Sequence, residues 1–179
     1  MTVGLLGAVA PGFGRPLEVL EACHDRIARQ CDTLERLLAH LPVHAADAPA
    51  QQAARAVLAY FDRAALHHHD DEERNLFPLL EEAGAPGACE LVEMLSLEHE
   101  EQSLLWRRLR VQLAAIEAGT SATLDAGFAG RFVALNRSHL AFENARVLPL
   151  ARQTLGAAAI ARLGRAMAAR RGVPFEGGA

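Results

Sequence analysis

The 179-residue sequence predicts an all-α fold: an up-down-up-down four-helix bundle with a short additional C-terminal helix. Three observations carry this. The chain is 51% hydrophobic but only 5% aromatic, and the Ala- and Leu-rich balance suits packed helices better than sheet. Apolar residues recur at alternating steps of three and four along four long stretches, which gives each a single buried face. Short breaks marked by Pro and Gly separate the stretches, so consecutive helices should run antiparallel. Neither Asn-Gly turns nor β-branched alternation marks a strand, and the length suits one domain rather than two.

The first helix opens at Pro16, where a first-turn proline belongs, and its seam reads Leu17, Leu20, His24, Ile27, Cys31, Leu34, Leu38 and Leu41, ending near Pro42. Asp47 caps and Pro49 opens the second, with seam Ala54, Leu58, Phe61, Ala65, His68, Glu72, Leu76 and Leu79. Gly84-Ala85-Pro86-Gly87 is its stop. The third runs from about Ala88 to Ala118 with Val92, Leu95, His99, Gln102, Trp106, Leu109, Leu113 and Ile116 inward, and Gly119 ends it. Thr120 or Ser121 caps the fourth, which turns Phe128, Phe132, Leu135, His139, Phe142, Glu143, Val147 and Leu150 inward. A fifth, shorter helix spans Ala157 to Arg171. Residues 1–15 thus read as a leader, 16–151 as the bundle and 152–179 as a C-terminal helix and frayed tail.

A net charge of −4 without a long basic block gives no electrostatic reason to expect nucleic acid. No apolar run approaches the roughly 20 residues of a membrane span, and Met1 to Gly14 lacks the basic start of a signal peptide. Cys23, Cys31 and Cys89 form no CxxC and cannot all pair, so a reducing cytoplasm is the expected location. The oligomeric state is open, with a dimer contact through the fifth helix as one reading.

The informative residues are polar ones inside the apolar seams: His24, His68, Glu72, His99, His139 and Glu143. A buried ionisable group costs several kcal/mol unless it is paired or metal-bound. Their heights agree. At about 1.5 Å rise per residue, His24 lies roughly 12 Å and His99 roughly 18 Å from the starts of their helices, and both HxxxE pairs lie roughly 10 to 20 Å from the ends of theirs. In an antiparallel bundle those ends coincide, so all six converge on one layer. The second helix permits three i,i+4 pairs, His67 with Asp71, His68 with Glu72 and His69 with Glu73; only the middle one follows the seam. An internal repeat agrees, with His139, Glu143 and Pro149 matching His68, Glu72 and Pro78. His67 and His69 then read as surroundings, His40 and His44 as solvated groups at the first turn.

Histidine and carboxylate without thiolate suit iron, manganese or zinc, and carboxylates from two opposed helices can bridge a pair of ions. Four His and two Glu divide into two metals with Glu72 and Glu143 shared. His99-Glu100-Glu101-Gln102-Ser103 is not the HExxH of zinc hydrolases. The ferritin-like pattern also fails, since only Glu21 to His24 has its ExxH spacing.

Cys23-His24-Asp25-Arg26-Ile27, Tyr60-Phe61 followed by His68 and Glu72, Leu76-Phe77-Pro78, Leu97-Glu98-His99-Glu100, and His139 with Glu143 occur in order from about Pro16 to Ala151. Together they resemble the hemerythrin-like (HHE cation-binding) family. The resemblance implies a non-heme di-iron centre, with the four histidines terminal and both glutamates bridging, manganese or zinc being possible substitutes. It also implies a small ligand: dioxygen, nitric oxide or peroxide. Oxygen-carrying members have HxxxH on the third helix, whereas here Ser103 follows His99 by four residues. Serine is a poor iron ligand, so one metal position is expected open or filled by Glu21, Gln102, His69, Tyr60 or water. That puts a dedicated oxygen-carrier role in doubt and leaves room for a di-iron enzyme, decomposing peroxide or repairing iron centres, or for iron handling.

Overall fold

The computed structural model describes residues 11–175; the leader up to Ala10 and the tail from Glu176 lie outside the described residues. Every regular element among the described residues is helical, and five rods account for them. They are α1 (Pro16–His44), α2 (residues 48–82), α3 (Ala88–Glu117), α4 (residues 126–154) and α5 (Ala157–Arg170).

Two helix ends differ from the sequence reading. Pro42 lies inside the last turn of α1, where its missing N–H removes one bond close to an end that already lacks partners; α1 stops at Ala45, whose φ of 55° turns the chain while its N–H bonds the Leu41 carbonyl. The cap of α4 is Asp125, accepting from Phe128 N–H at 2.9 Å, and not Thr120 or Ser121. Those two residues are used by the preceding turn: Thr120 donates to the Ala115 carbonyl, and Ser121 accepts from Thr123 N–H. At α2 the expected cap holds, with Asp47 accepting from Ala50 N–H at 2.9 Å.

Both α2 and α4 widen into a π turn, at Glu72–Leu76 and at Glu143–Val147. Each is followed by a proline, Pro78 or Pro149, at the second position of the next α segment. A proline in a helix lacks the N–H that would close the turn, and its ring crowds the carbonyl four residues back; one extra residue in the turn relieves both. The internal repeat is therefore also a repeat of backbone shape. A further π turn occupies Tyr60–Ala64.

Helix α1 packs against α2 and α4, and α3 packs against the same two. Their apolar faces form two clusters. One holds Ile27, Leu34, Phe61, Trp106, Leu109 and Phe132, with the Phe61 ring 5.0 Å from both Trp106 and Phe132. The other holds Leu17, Leu20, Leu76, Leu80, Leu95, Leu148 and Met167. The six polar seam residues belong to neither cluster; along α1, α2 and α3 they fall between the two, and on α4 they lie where the first cluster ends at Leu140 and before the second resumes at Val147. Helix α5 closes the second cluster and is tied to α2 beside Glu72, where buried Asp71 accepts from Arg170 and, at 2.6 Å, from Arg171. Gly164 lets the backbone just before α1 lie against α5, because a Cβ there would stand 2.1 Å from the Phe13 carbonyl oxygen.

Candidate metal centre

The six seam residues meet in one layer, each from the helix the periodicity named. His24 comes from α1, His68 and Glu72 from α2, His99 from α3, and His139 and Glu143 from α4; none is more than 2% exposed. They form two tetrads, His24-His68-Glu72-Glu143 and Glu72-His99-His139-Glu143, each with its ligating atoms within 4.8 Å of one another. Both carboxylates belong to both tetrads.

Oxygen by oxygen, the sharing is explicit. Glu72 turns Oε1 toward His24 Nε2 (3.8 Å) and His68 Nε2 (3.5 Å), and Oε2 toward His99 Nε2 (3.6 Å). Glu143 turns Oε2 toward His24 Nε2 and Oε1 toward His139 Nε2, each at 3.3 Å. The i,i+4 spacing sets the His68–Glu72 and His139–Glu143 pairs, since it stacks the side chains on one helix face.

Three imidazoles are oriented from behind. His24 Nδ1–H donates to Asn144 Oδ1, His99 Nδ1–H to Glu73 Oε1 and His139 Nδ1–H to Glu98 Oε2, each at 2.7 Å. A histidine that donates through Nδ1 presents the lone pair of Nε2, the usual arrangement behind a metal-ligating imidazole. His99 and His139 consequently point two Nε2 atoms at each other, 2.9 Å apart, which requires a cation or a proton between them. His24 Nε2, both nitrogens of His68 and all four oxygens of Glu72 and Glu143 are buried without a hydrogen-bond partner among the described residues. Orphaned buried polar atoms in this number fit a bound cation.

Without a cation the layer is electrostatically expensive. Burial, reinforced by the charge of Glu143, holds the Glu72 carboxyl well above its ordinary pKa. Burial pushes Glu143 in the same direction, but the adjacent His139, with His24 and His99 behind it, outweighs burial and the pKa falls. His139 mirrors this: burial would depress it, and Glu143 and Glu98 lift it. Burial and then the charge of His24 keep His68 well below the ordinary histidine value.

The sequence left open which group stands near the position of Ser103. Glu21 is at the surface, paired with Arg152 at 2.9 Å, and the Tyr60 hydroxyl donates to the Cys23 carbonyl at 3.4 Å, so both are engaged elsewhere. His69 stacks on His99 with ring centroids 4.0 Å apart, and burial together with the His99 charge pushes its pKa down to about 3. His69, Gln102, Ser103 and Asn136 line a cavity of about 30 Å³ together with Phe61, Trp106 and Phe132. That space holds about one water or one diatomic molecule. The groups the sequence reading left out are the orienting residues Asn144 and Glu98 and the buried Asp71. Glu73, Glu98 and Asn144 each adjoin a seam residue in sequence, a signal available only once the neighbouring helix is known.

His40, His44 and Asp47 make a third His/Asp group at the far end of α1. It is partly exposed and satisfied, since Asp47 Oδ1 already accepts from Ala50 N–H and from His40 Nε2–H.

A family model for the hemerythrin HHE cation-binding domain matches residues 15–151. The chain belongs to the hemerythrin HHE family. It is also similar to a protein of Haemophilus influenzae, itself described only as uncharacterized, with 32% identity over 161 residues that cover 90% of this chain and 92% of the other. The family is a cation-binding one, and the buried His/Glu groups are ones that could hold a metal ion. No described helix is long and apolar enough to cross a membrane.

Proposed function

We propose that this hemerythrin-family chain holds a non-heme di-iron centre and binds or senses a small diatomic ligand, dioxygen or nitric oxide. One observation carries the reading: Glu72 and Glu143 each direct one oxygen into each of two His-His tetrads, the donor set of a carboxylate-bridged metal pair. In this reading His24 and His68 hold one ion and His99 and His139 the other. When bound, an iron pair supplies an open coordination position and electrons that can be shared with a diatomic ligand.

The protein's own residues do the rest. Asn144, Glu73 and Glu98 fix three imidazoles in one tautomer and leave Nε2 free. Glu73 and Glu98 also draw on the Nδ1 protons of His99 and His139, which makes those imidazoles stronger donors. The two apolar clusters exclude bulk water from the layer. The cavity beside His69, Gln102 and Ser103 admits only a very small molecule, and Gln102 Nε2 is buried there without a partner among the described residues, a donor for such a guest.

The supporting frame is the up-down-up-down bundle of residues 16–151, consistent with short connections and with each long helix packing on two neighbours. Three free thiols, two of them buried, support a reducing compartment such as the cytoplasm.

Anaerobic reconstitution with ferrous iron, metal quantification, and exposure in turn to dioxygen, nitric oxide and peroxide test the proposal. Two irons per chain and visible bands that come and go reversibly with dioxygen or nitric oxide are expected. Fewer than one iron or manganese per chain would sink the di-metal reading, and sustained oxygen evolution from peroxide would replace the binding role with an enzymatic one.

A further inference from the structure

The outward face of α3 carries a pattern that neither the fold nor the metal layer uses. Leu97, Leu104 and Val111 are 60%, 56% and 70% exposed and stand seven residues apart. Glu93, Glu100, Arg107 and Ala114, all exposed, interleave them to complete alternating steps of four and three. A seven-residue apolar repeat on a solvent-facing helix is the sequence of a helix–helix seam, and about 100° per residue brings all three apolar positions within about 40° of one line. Scattered exposed apolar residues need no explanation; three in heptad register on one face do.

The charges around the stripe are segregated. Before Leu104 they are acidic, at Glu90, Glu93, Glu100 and Glu101; after it they are basic, at Arg107, Arg108 and Arg110. A parallel partner of the same sequence would set like on like. An antiparallel partner does the opposite. With a two-fold axis at Leu104, that residue meets its own copy, and Leu97 meets Val111, Glu100 meets Arg107 on one flank and Glu101 meets Arg108 on the other, each of these three pairs occurring twice. Glu100 and Arg107 have no ion-pair partner within the chain among the described residues. Glu101 already pairs with Arg131, and Arg108 lies 4.8 Å from the Phe128 ring centre, so both are held at the edges of the stripe.

The geometry points to a second copy of this chain as the occupant: a two-fold homodimer formed by antiparallel pairing of α3 along Leu97, Leu104 and Val111. Three apolar anchors per copy make an interface at the small end of stable ones, so the dimer is concentration-dependent. Pairing leaves the candidate ligands untouched, because His99 points from the opposite face of α3 into the core. The inference is independent of the metal reading.

Sedimentation velocity of the full chain over a wide concentration range should show monomer giving way to dimer. Leu104→Glu sets two carboxylates against each other at the axis and should weaken the dimer at least tenfold with an unchanged helical melting curve. Glu100→Arg and Arg107→Glu should each weaken it, and the double substitution should restore it. In a Cys89→Ser background, which removes the exposed thiol, Leu104→Cys should cross-link to itself under oxidised glutathione. Val111→Cys alone should not, its two copies lying roughly 21 Å apart along the helix axis, whereas mixed Leu97→Cys and Val111→Cys chains should. Self-linking by Val111→Cys would overturn the antiparallel arrangement. A chain that stays monomeric at the highest concentration, with Leu104→Cys unlinked, would overturn the homodimer and leave the stripe to a different protein.

Discussion

The two tetrads share their carboxylates but differ in what stands behind their histidines. Around His99 and His139, two carboxylates, Glu73 and Glu98, accept the Nδ1 protons. Around His24 and His68, one neutral amide, Asn144, orients His24, and His68 Nδ1 has no partner among the described residues. Each support reaches across from a neighbouring helix, α4 to α1, α2 to α3 and α3 to α4, and the ring is broken at His68. A charge-assisted hydrogen bond is about twice as strong as a neutral one, so the first half is the more rigid and electron-rich. The small cavity also adjoins that half, through His69 stacked on His99. In the proposed two-metal reading, the position held by His99 and His139 is the firmer and the one held by His24 and His68 the softer.

The largest expected effect removes what the halves share. Glu72→Leu or Glu143→Leu should reduce iron from two per chain to less than one, measured after anaerobic reconstitution. Glu72→Leu should also raise the melting temperature of the metal-free chain, because it deletes a buried carboxylate that has no hydrogen-bond partner. If either variant kept two irons, the bridging role would be wrong.

Next come losses confined to one half. His139→Ala should leave the ion held by His24 and His68, His68→Ala the one held by His99 and His139, and His40→Ala should leave both; metal content and absorption spectra read the difference. Smaller again are changes to the orienting groups. Glu98→Gln should weaken iron in the His99–His139 half by about 10- to 100-fold, with less loss from Asn144→Ala in the other half. Equal losses in a metal competition titration would erase the asymmetry.

The smallest effect lies far from both halves. Asp47 caps α2, and the Ala50 N–H, then the His40 hydrogen bond, hold its pKa below the ordinary 3.8. A carboxyl with a depressed folded pKa contributes stability that is complete above the unfolded value and is lost as pH falls through the folded one. Asp47→Asn should therefore flatten the acid side of the melting-temperature profile below about pH 4 while iron content at neutral pH stays the same.

Much of the candidate site was legible because a histidine or glutamate at a position that the 3.6-residue period assigns to Leu is conspicuous. His68 could be separated from His67 and His69 by that rule alone, and the structure buries His68 fully while leaving its neighbours partly exposed. The ends of α1 and α4 were misread where several residues could cap or stop a helix with similar free energy. Thr120, Ser121 and Asp125 all qualify as caps, and only the path of the loop selects Asp125.

By itself, the sequence determined what is local and periodic: helices, their inward faces, the six polar interruptions at matched heights, and the paired Glu-to-Pro segments. Helical spacing carries that information along a single chain. Tertiary structure alone decided which carboxylate oxygen faces which imidazole, that Glu73, Glu98 and Asn144 support three histidines while His68 stands without one, and that Ser103 borders a cavity about the size of a water. These depend on the rotation and separation of neighbouring helices, which arise from packing two apolar clusters against each other and are encoded at no single position.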